Sequence, residues 1–222
     1  MLSQTQRTEI KKSVHKTVLD TQQLHAIIDE SLLAHIAITE AHGPVVIPML
    51  TWRIGQRIYI HGARNSRLIR QLKQGNSTCL TFTLFDGWVL ARSTFHHSAH
   101  YRSAVVFGQF EEIEDNAEKD RLLNHFVEQI APGRSAEART GNEKELTATV
   151  VLSMPLSEAS VKISCSDVND DAADMDLPVW AGIVPYRTVV GPLVPSPTMT
   201  TIPEAPDYSR AYGSRWVHYP VD

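Results

Sequence analysis

The sequence predicts a mainly β protein with a few inserted helices, its strands forming an antiparallel, barrel-like sheet. Three observations predict it: many short runs of alternating apolar residues, Gly, Pro and Asp turn signals between them, and only three segments with helical spacing. Asp20 or Thr21 can cap a first helix to about Glu30, with Leu24, Ile27 and Ile28 as its apolar stripe. Leu33 to Thr39 then reads as a strand, His42-Gly43-Pro44 as a turn, and Val45 to Ile54 as the returning strand. Gly55-Gln56 turns the chain into a strand from Arg57 to Gly62, with Ile58 and Ile60 on one face and Tyr59 and His61 on the other.

A short helix opens at Ser66-Arg67, buries Leu68, Ile69 and Leu72, and stops at Gly75-Asn76. Thr78 to Phe85 and Trp88 to Ser93 flank Asp86-Gly87, which predicts a tight hairpin. Tyr101 to Glu112 is a further strand. Asp115 with Glu118 forms a capping pattern before a helix carrying Leu122, Leu123, Phe126, Val127 and Ile130. Residues 141–154 suit helix or strand equally, and Ser160 to Ser166 and Val179 to Val190 read as the final strands. Asp167 to Asp176 fits a solvated acidic loop better than a calcium loop, because its spacing matches no ligand pattern. The prolines at 192, 195, 197, 203 and 206 forbid regular ladders, so residues 191–222 are expected as an extended strap docked through Trp216 and Tyr219. The expected organisation is a flexible segment over 1–19, one domain over 20–190, and the strap.

At 222 residues, 42% of them apolar, the chain can bury a full core. Its formal charge of −4, without a basic patch, argues against a nucleic-acid partner. The polar start, from Met1 to Asp20, lacks the apolar stretch of a signal peptide, and no run reaches membrane-span length. Cys79 and Cys165 stand far apart without ligand spacing, as free thiols of a reduced, cytoplasmic protein would.

The stretch from Ile47 to Leu72 offers what a phosphorylated cofactor needs. Pro48-Met49-Leu50-Thr51 can run backbone along a planar ring, and Gly62 and Ala63 admit close approach. Ser66 and Arg67 meet a phosphate at the helix start, although a simple cap with a solvated arginine explains the same residues. His96, His97, His100 and His61 form the best case for a metal, but no Cys or carboxylate completes it, and a polar pocket wall is the better reading. No Gly-x-Ser-x-Gly elbow and no Gly-x-Gly-x-x-Gly turn is present, which leaves a cofactor held by strands and one helix end.

With the Ile47–Leu72 stretch and the segment from His96 to Gly108 together, the chain resembles the FMN-binding split-barrel superfamily of pyridoxamine 5'-phosphate oxidase. It is most similar to the branch of nitroimidazole-reductase-like flavoproteins, and the resemblance runs from Val18 to Pro185. It implies an antiparallel six-stranded Greek-key split β-barrel and a homodimer with FMN at the subunit interface. It implies Ser66 and Arg67 as phosphate ligands, with His61, Gly62, Ala63, Pro48, Met49, Leu50 and Thr51 along ribityl chain and ring. Tyr101, Arg102 and Ser103 would line the site and Trp180 would close it, with a structural salt bridge the alternative for Arg102. Many members carry Lys where Arg67 stands. The chain also lacks the terminal Arg-Leu-x-Pro of the vitamin oxidases, ending instead from Arg215 to Asp222, which implies a substrate other than pyridoxamine phosphate. The expected activity is reduction of a small organic acceptor through flavin N5 with electrons from a reduced nicotinamide, His61 or His100 serving as proton donor. A non-catalytic flavin module and a haem- or deazaflavin-binding split barrel are the rival readings.

Overall fold

The computed structural model of the protein describes residues 1–200 and residue 208. In chain order the elements are β1 (Thr17–Val18), α1 (Thr21–Glu30), β2 (Leu33–Glu40), β3 (Gly43–Leu50), β4 (Trp52–Ile54), β5 (Arg57–Ala63), α2 (Arg67–Leu72), β6 (Thr78–Leu90), β7 (Ser98–Gly108) and β8 (Glu111–Ile113). They continue with α3 (Asn116–Ile130), α4 (Arg134–Glu137), α5 (Glu143–Ala148), β9 (Thr149–Pro155), β10 (Ala159–Ser164) and β11 (Gly182–Pro185). Two antiparallel sheets result. The larger runs β1-β10-β7-β6-β2-β3, with β11 also on β6, and the smaller runs β4-β5-β9-β8. The chain passes from one sheet to the other at Thr51, between β5 and β6 through α2, after Gly108 and after Pro155, and the two sheets do not close into one barrel.

The core lies between the sheets. Ile36 and Ile38 of β2, Leu80 and Phe82 of β6, Ile58 and Ile60 of β5 and Leu152 and Met154 of β9 meet there. Leu24, Ile27 and Ile28 of α1 and Leu68, Ile69 and Leu72 of α2 join the same core. Each such side chain contributes about 1.5–3 kcal/mol by leaving water. The expected caps form: the Gln22 amide donates to Asp20 Oδ1 at 2.9 Å and the Glu118 amide to Asp115 Oδ1 at 2.8 Å.

Four expectations change and the open reading of residues 141–154 resolves; the strand expected from Tyr101 to Glu112 ends at Gly108 and resumes as β8 in the smaller sheet. Asp86-Gly87 is no hairpin. β6 runs straight through it, with a register shift against β7 between Phe85 and Gly87, and the turn comes after Leu90. A Cβ on Gly87 would lie 2.6 Å from the Val184 carbonyl oxygen, so this glycine admits β11 rather than reversing the chain. The strand expected from Val45 to Ile54 splits at Thr51 between the two sheets. Residues 143–148 are helical through a capping box of Asn142 and Glu145, and strand begins at Thr149, where β-branched residues take over. Only Gly182–Pro185 of the segment from Val179 to Val190 forms strand, because only those four residues reach the ladder along Gly87 to Leu90.

Residues 1–19, expected as flexible, lie against the sheet. Leu2 is buried, its amide donates to the Leu19 carbonyl at 2.8 Å, Arg7 pairs with Glu158, and β1 pairs with β10. Cys79 and Cys165 are free thiols. Trp216 and Tyr219 lie outside the described residues. No described helix is long and apolar enough to cross a membrane.

Candidate functional site

Strand alternation sorts the expected site residues into two groups. In β2 and β3 the register pairs Leu33 with Leu50, His35 with Pro48 and Ala37 with Val46. The alternate residues Ala34, Ile36 and Ile38 are buried, so Pro44, Val46, Pro48 and Leu50 share the outer face of the larger sheet. On the same face β6 and β7 set Phe85 opposite Tyr101 and Thr83 opposite Ser103. Pro48, Leu50, Tyr101 and Ser103 are therefore brought together on one surface. Met49 and Arg102, one residue away, point to the core.

The outer face is apolar where solvent would favour polar groups. Leu33, Val46, Leu50, Phe85 and Trp88 are all exposed, and the rings of Trp88 and Tyr186 lie edge-on to Phe85 at 4.9 and 5.1 Å. Exposed apolar residues gathered on one sheet face, here with the exposed His35 and Thr83 among them, suit a surface that something covers. Near one end of it stands the start of α2. Arg67 Nε donates to Glu40 Oε1 at 2.6 Å and Nη2 to Oε2, which ties the helix start to the last residue of β2. The guanidinium beside Glu40 holds that carboxyl below its usual range. Ser66 occupies the N-cap position but makes no side-chain cap bond, so its hydroxyl has no role within the helix. Only the Nε/Nη2 edge of Arg67 is used by Glu40, and Nη1 stands outside that pair.

His61, Gly62 and Ala63 follow different rules. His61 lies on the face of β5 that α3 covers, with its ring 5.8 Å from Trp52 and 5.1 Å from Phe126. Its Nδ1 is buried without a hydrogen-bond partner, and burial lowers its pKa from 6.5, which keeps the ring neutral. A Cβ on Gly62 would stand 2.8 Å from Ile69 Cγ1, so that glycine seats α2 on β5. Ala63 is exposed at the end of β5, and Ser66 donates its amide to the Ala63 carbonyl at 2.9 Å. Trp180 is 65% exposed and covers Gly182.

Arg102 sits at the centre of a buried ion cluster. Nη2 donates to Glu30 Oε1 at 2.8 Å and to Asp86 Oδ1 at 2.6 Å, and Nε donates to Asp86 Oδ2 at 2.9 Å. Burial alone would lower its pKa, but the hydrogen bonds and charges of Asp86 and Glu30 outweigh it and the net shift is upward. The alternative reading of Arg102 as a structural salt bridge describes its geometry. Glu30, Asp86 and Glu40 were not expected as partners of an arginine, and a lone acidic residue carries no signal that it will meet one 16 to 72 positions away.

The histidines of the β6–β7 turn each have a separate contact. His96 Nε2 meets Asp171 Oδ2 at 3.1 Å, His97 Nδ1 the Ser93 carbonyl at 2.9 Å and His100 Nε2 the Ser166 carbonyl at 2.9 Å. No group of three His, Cys, Asp or Glu among the described residues is placed to hold a metal ion.

The sequence profile of the pyridoxamine 5'-phosphate oxidase family matches residues 20–163. The flavocytochrome Anf3 from Azotobacter vinelandii is 36% identical, with 91% of this chain and 93% of that chain covered at a TM-score of 0.84. The FAD and heme binding protein from Mycobacterium smegmatis is 33% identical, with 89% and 97% covered at a TM-score of 0.84. A Bacteroides thetaiotaomicron protein named for 5-nitroimidazole antibiotic resistance shares the fold at 24% identity, 66% and 86% coverage and a TM-score of 0.57. No curated protein sequence matches the chain. Two nearly full-length relatives above 30% identity, and a family profile spanning most of the two-sheet domain, have one meaning: the chain belongs to the pyridoxamine 5'-phosphate oxidase-like family of flavin-binding split-barrel proteins.

Proposed function

We propose that the protein is a flavin-dependent redox protein that works as a homodimer, with the flavin ring on the outer face of β2 and β3 and its phosphate at Ser66 and Arg67. The observation that carries this reading is the exposed apolar run of Val46, Pro48 and Leu50 along β3, whose neighbour β2 ends at Glu40, the partner of Arg67. A flat apolar face next to a guanidinium edge and an uncommitted hydroxyl suits a planar ring with a phosphate tail. Pro48, Leu50 and Thr51 would support the ring, Tyr101 and Ser103 would flank it, and a second subunit would cover the exposed apolar surface. A bound flavin supplies the electron transfer, and the chain supplies orientation, charge and exclusion of water.

The adenylated flavin, FAD, is the preferred form, since the Mycobacterium smegmatis relative is named for FAD and heme. FMN, the form expected from the sequence, is the second reading. Haem as an additional group is supported by that same name and by the flavocytochrome. The proposed activity is reduction of a small organic acceptor with electrons from a reduced nicotinamide, in the cytoplasm.

The absorption spectrum of the purified protein tests the cofactors: two flavin bands and a Soret band are expected, and chromatography of the released flavin separates FAD from FMN. A colourless protein that takes up neither flavin would end the proposal. Arg67→Ala should weaken flavin binding roughly tenfold or more while riboflavin, which lacks the phosphate, binds as before. A bound flavin that stays oxidised with every reduced nicotinamide and acceptor tried would mark a binding module.

A further inference from the structure

A cleft of about 300 Å³ opens between the end of β2, the second turn of α2 and the segment entering β6. None of the residues lining it is ionisable. Ile38 and Leu72 form a buried apolar floor, while Thr39, Asn76 and Ser77 are exposed around it and Gln71 is half-buried. The volume is about twice the ~150 Å³ that admits benzene and reaches the lower end of ligand pockets, so it suits a fused bicycle.

The polar groups specify the ring further. The Gln71 carboxamide makes no hydrogen bond among the described residues, so it offers a donor and an acceptor side by side. That pair matches the amino group and ring nitrogen along one edge of adenine, which glutamine reads in the same way in nucleic acids. Asn76 gives its Nδ2 to Gln74 at 3.1 Å and keeps its oxygen, and Ser77 accepts from Arg7 at 2.9 Å and keeps its hydrogen. Arg7 is itself paired with Glu158, so its charge is compensated. A charged group entering the cleft would lose hydration without gaining a counter-charge, and the neutral part of a ligand is favoured there.

The position of the cleft says which ligand. Gln71 lies one helical turn after Arg67, and Thr39 immediately precedes Glu40, the partner of Arg67. A nucleotide with a phosphate at Arg67 can therefore extend past that pair and place its base over Ile38 and Leu72. We propose that this cleft is the adenine site of the bound FAD, with Gln71 pairing to the edge of the base. The choice of nucleotide rests on the flavin reading above, whereas the fit of an adenine ring to the cleft does not.

The test is calorimetric titration of FAD, FMN, ADP and NADH into the full chain freed of flavin. FAD is expected to bind roughly tenfold or more tightly than FMN, and Gln71→Leu should raise the Kd of FAD roughly tenfold while leaving that of FMN unchanged. Retained FMN binding also shows that the variant is folded. ADP should bind the wild type and lose affinity in the same variant. Equal affinities for the two flavins, or a variant that weakens both alike, overturns the proposal. So does a Kd raised for NADH and not for FAD, which assigns the cleft to the reductant. ADP bound through Gln71 while neither flavin binds would end the flavin reading and keep the adenine site. Both flavins bound alike, with ADP ignored, would end the adenine site and keep the flavin reading.

Discussion

Arg102, His61 and Arg67 show how one residue's setting decides its role. Arg102 carries a guanidinium and stands in the strand expected to line the site, yet the pleat turns it inward onto Glu30 and Asp86, where it joins the end of α1 to β6 and β7. Removing it leaves two buried carboxylates without their cation, so Arg102→Met should destabilise the fold by about 3 kcal/mol or more, measured by urea unfolding. His61 makes the opposite case, a titratable ring held neutral by burial. Its folded pKa lies below 6.5, so the unfolded chain takes up a proton first as pH falls, and the stability is complete above 6.5 and declines below it. His61→Phe should flatten the stability profile between pH 6.5 and the range where carboxylates titrate, read from unfolding midpoints across a pH series. Arg67 was legible as a charge at a helix start, but its partner Glu40 was not.

At the scale of elements, the two glycines of interest serve packing between strands and helices. Gly62 gives Ile69 its seat and Gly87 gives β11 its ladder against β6. Gly87→Ala would force Cβ against the Val184 backbone oxygen and should cost about 1–3 kcal/mol, with amide exchange accelerated from Gly182 to Pro185. Asp86-Gly87 carries the local chemistry of a tight turn and forms a bulge instead, because Asp86 is drawn to Arg102 and β11 fills the space beside Gly87. Periodicity fared better where one face meets the core, as in α1, α2 and α3. It failed at Thr51, since a strand that changes sheets keeps its extended backbone and gives no local signal of the crossing.

For the whole molecule, the proposed dimer rests on the outer face of the larger sheet. Leu33, Val46, Leu50, Phe85 and Trp88 expose apolar surface on it, and covering it with a second copy is the simplest way to remove it from water. Val46→Glu should shift the protein from dimer toward monomer in light scattering after size exclusion. It should also weaken flavin retention if the ring lies between the subunits. An unchanged molar mass would separate this face from dimerisation.

The sequence by itself determined what depends on near neighbours along the chain: the caps at Asp20 and Asp115, the amphipathic stripes, the strand pair from Leu33 to Leu50, and the helix start at Ser66-Arg67 beside it. Its family motif extended this to the split barrel and to flavin binding, which the family profile and the two relatives support. Only the tertiary structure decided which side of each strand faces the core, and hence that Pro48, Leu50, Tyr101 and Ser103 share a surface while Met49 and Arg102 do not. It also brought Thr39, Gln71 and Asn76 around one cleft. The physical reason is range: capping and periodicity are set within a few residues, whereas pleat direction, ion partners and cavities depend on contacts between segments far apart in sequence.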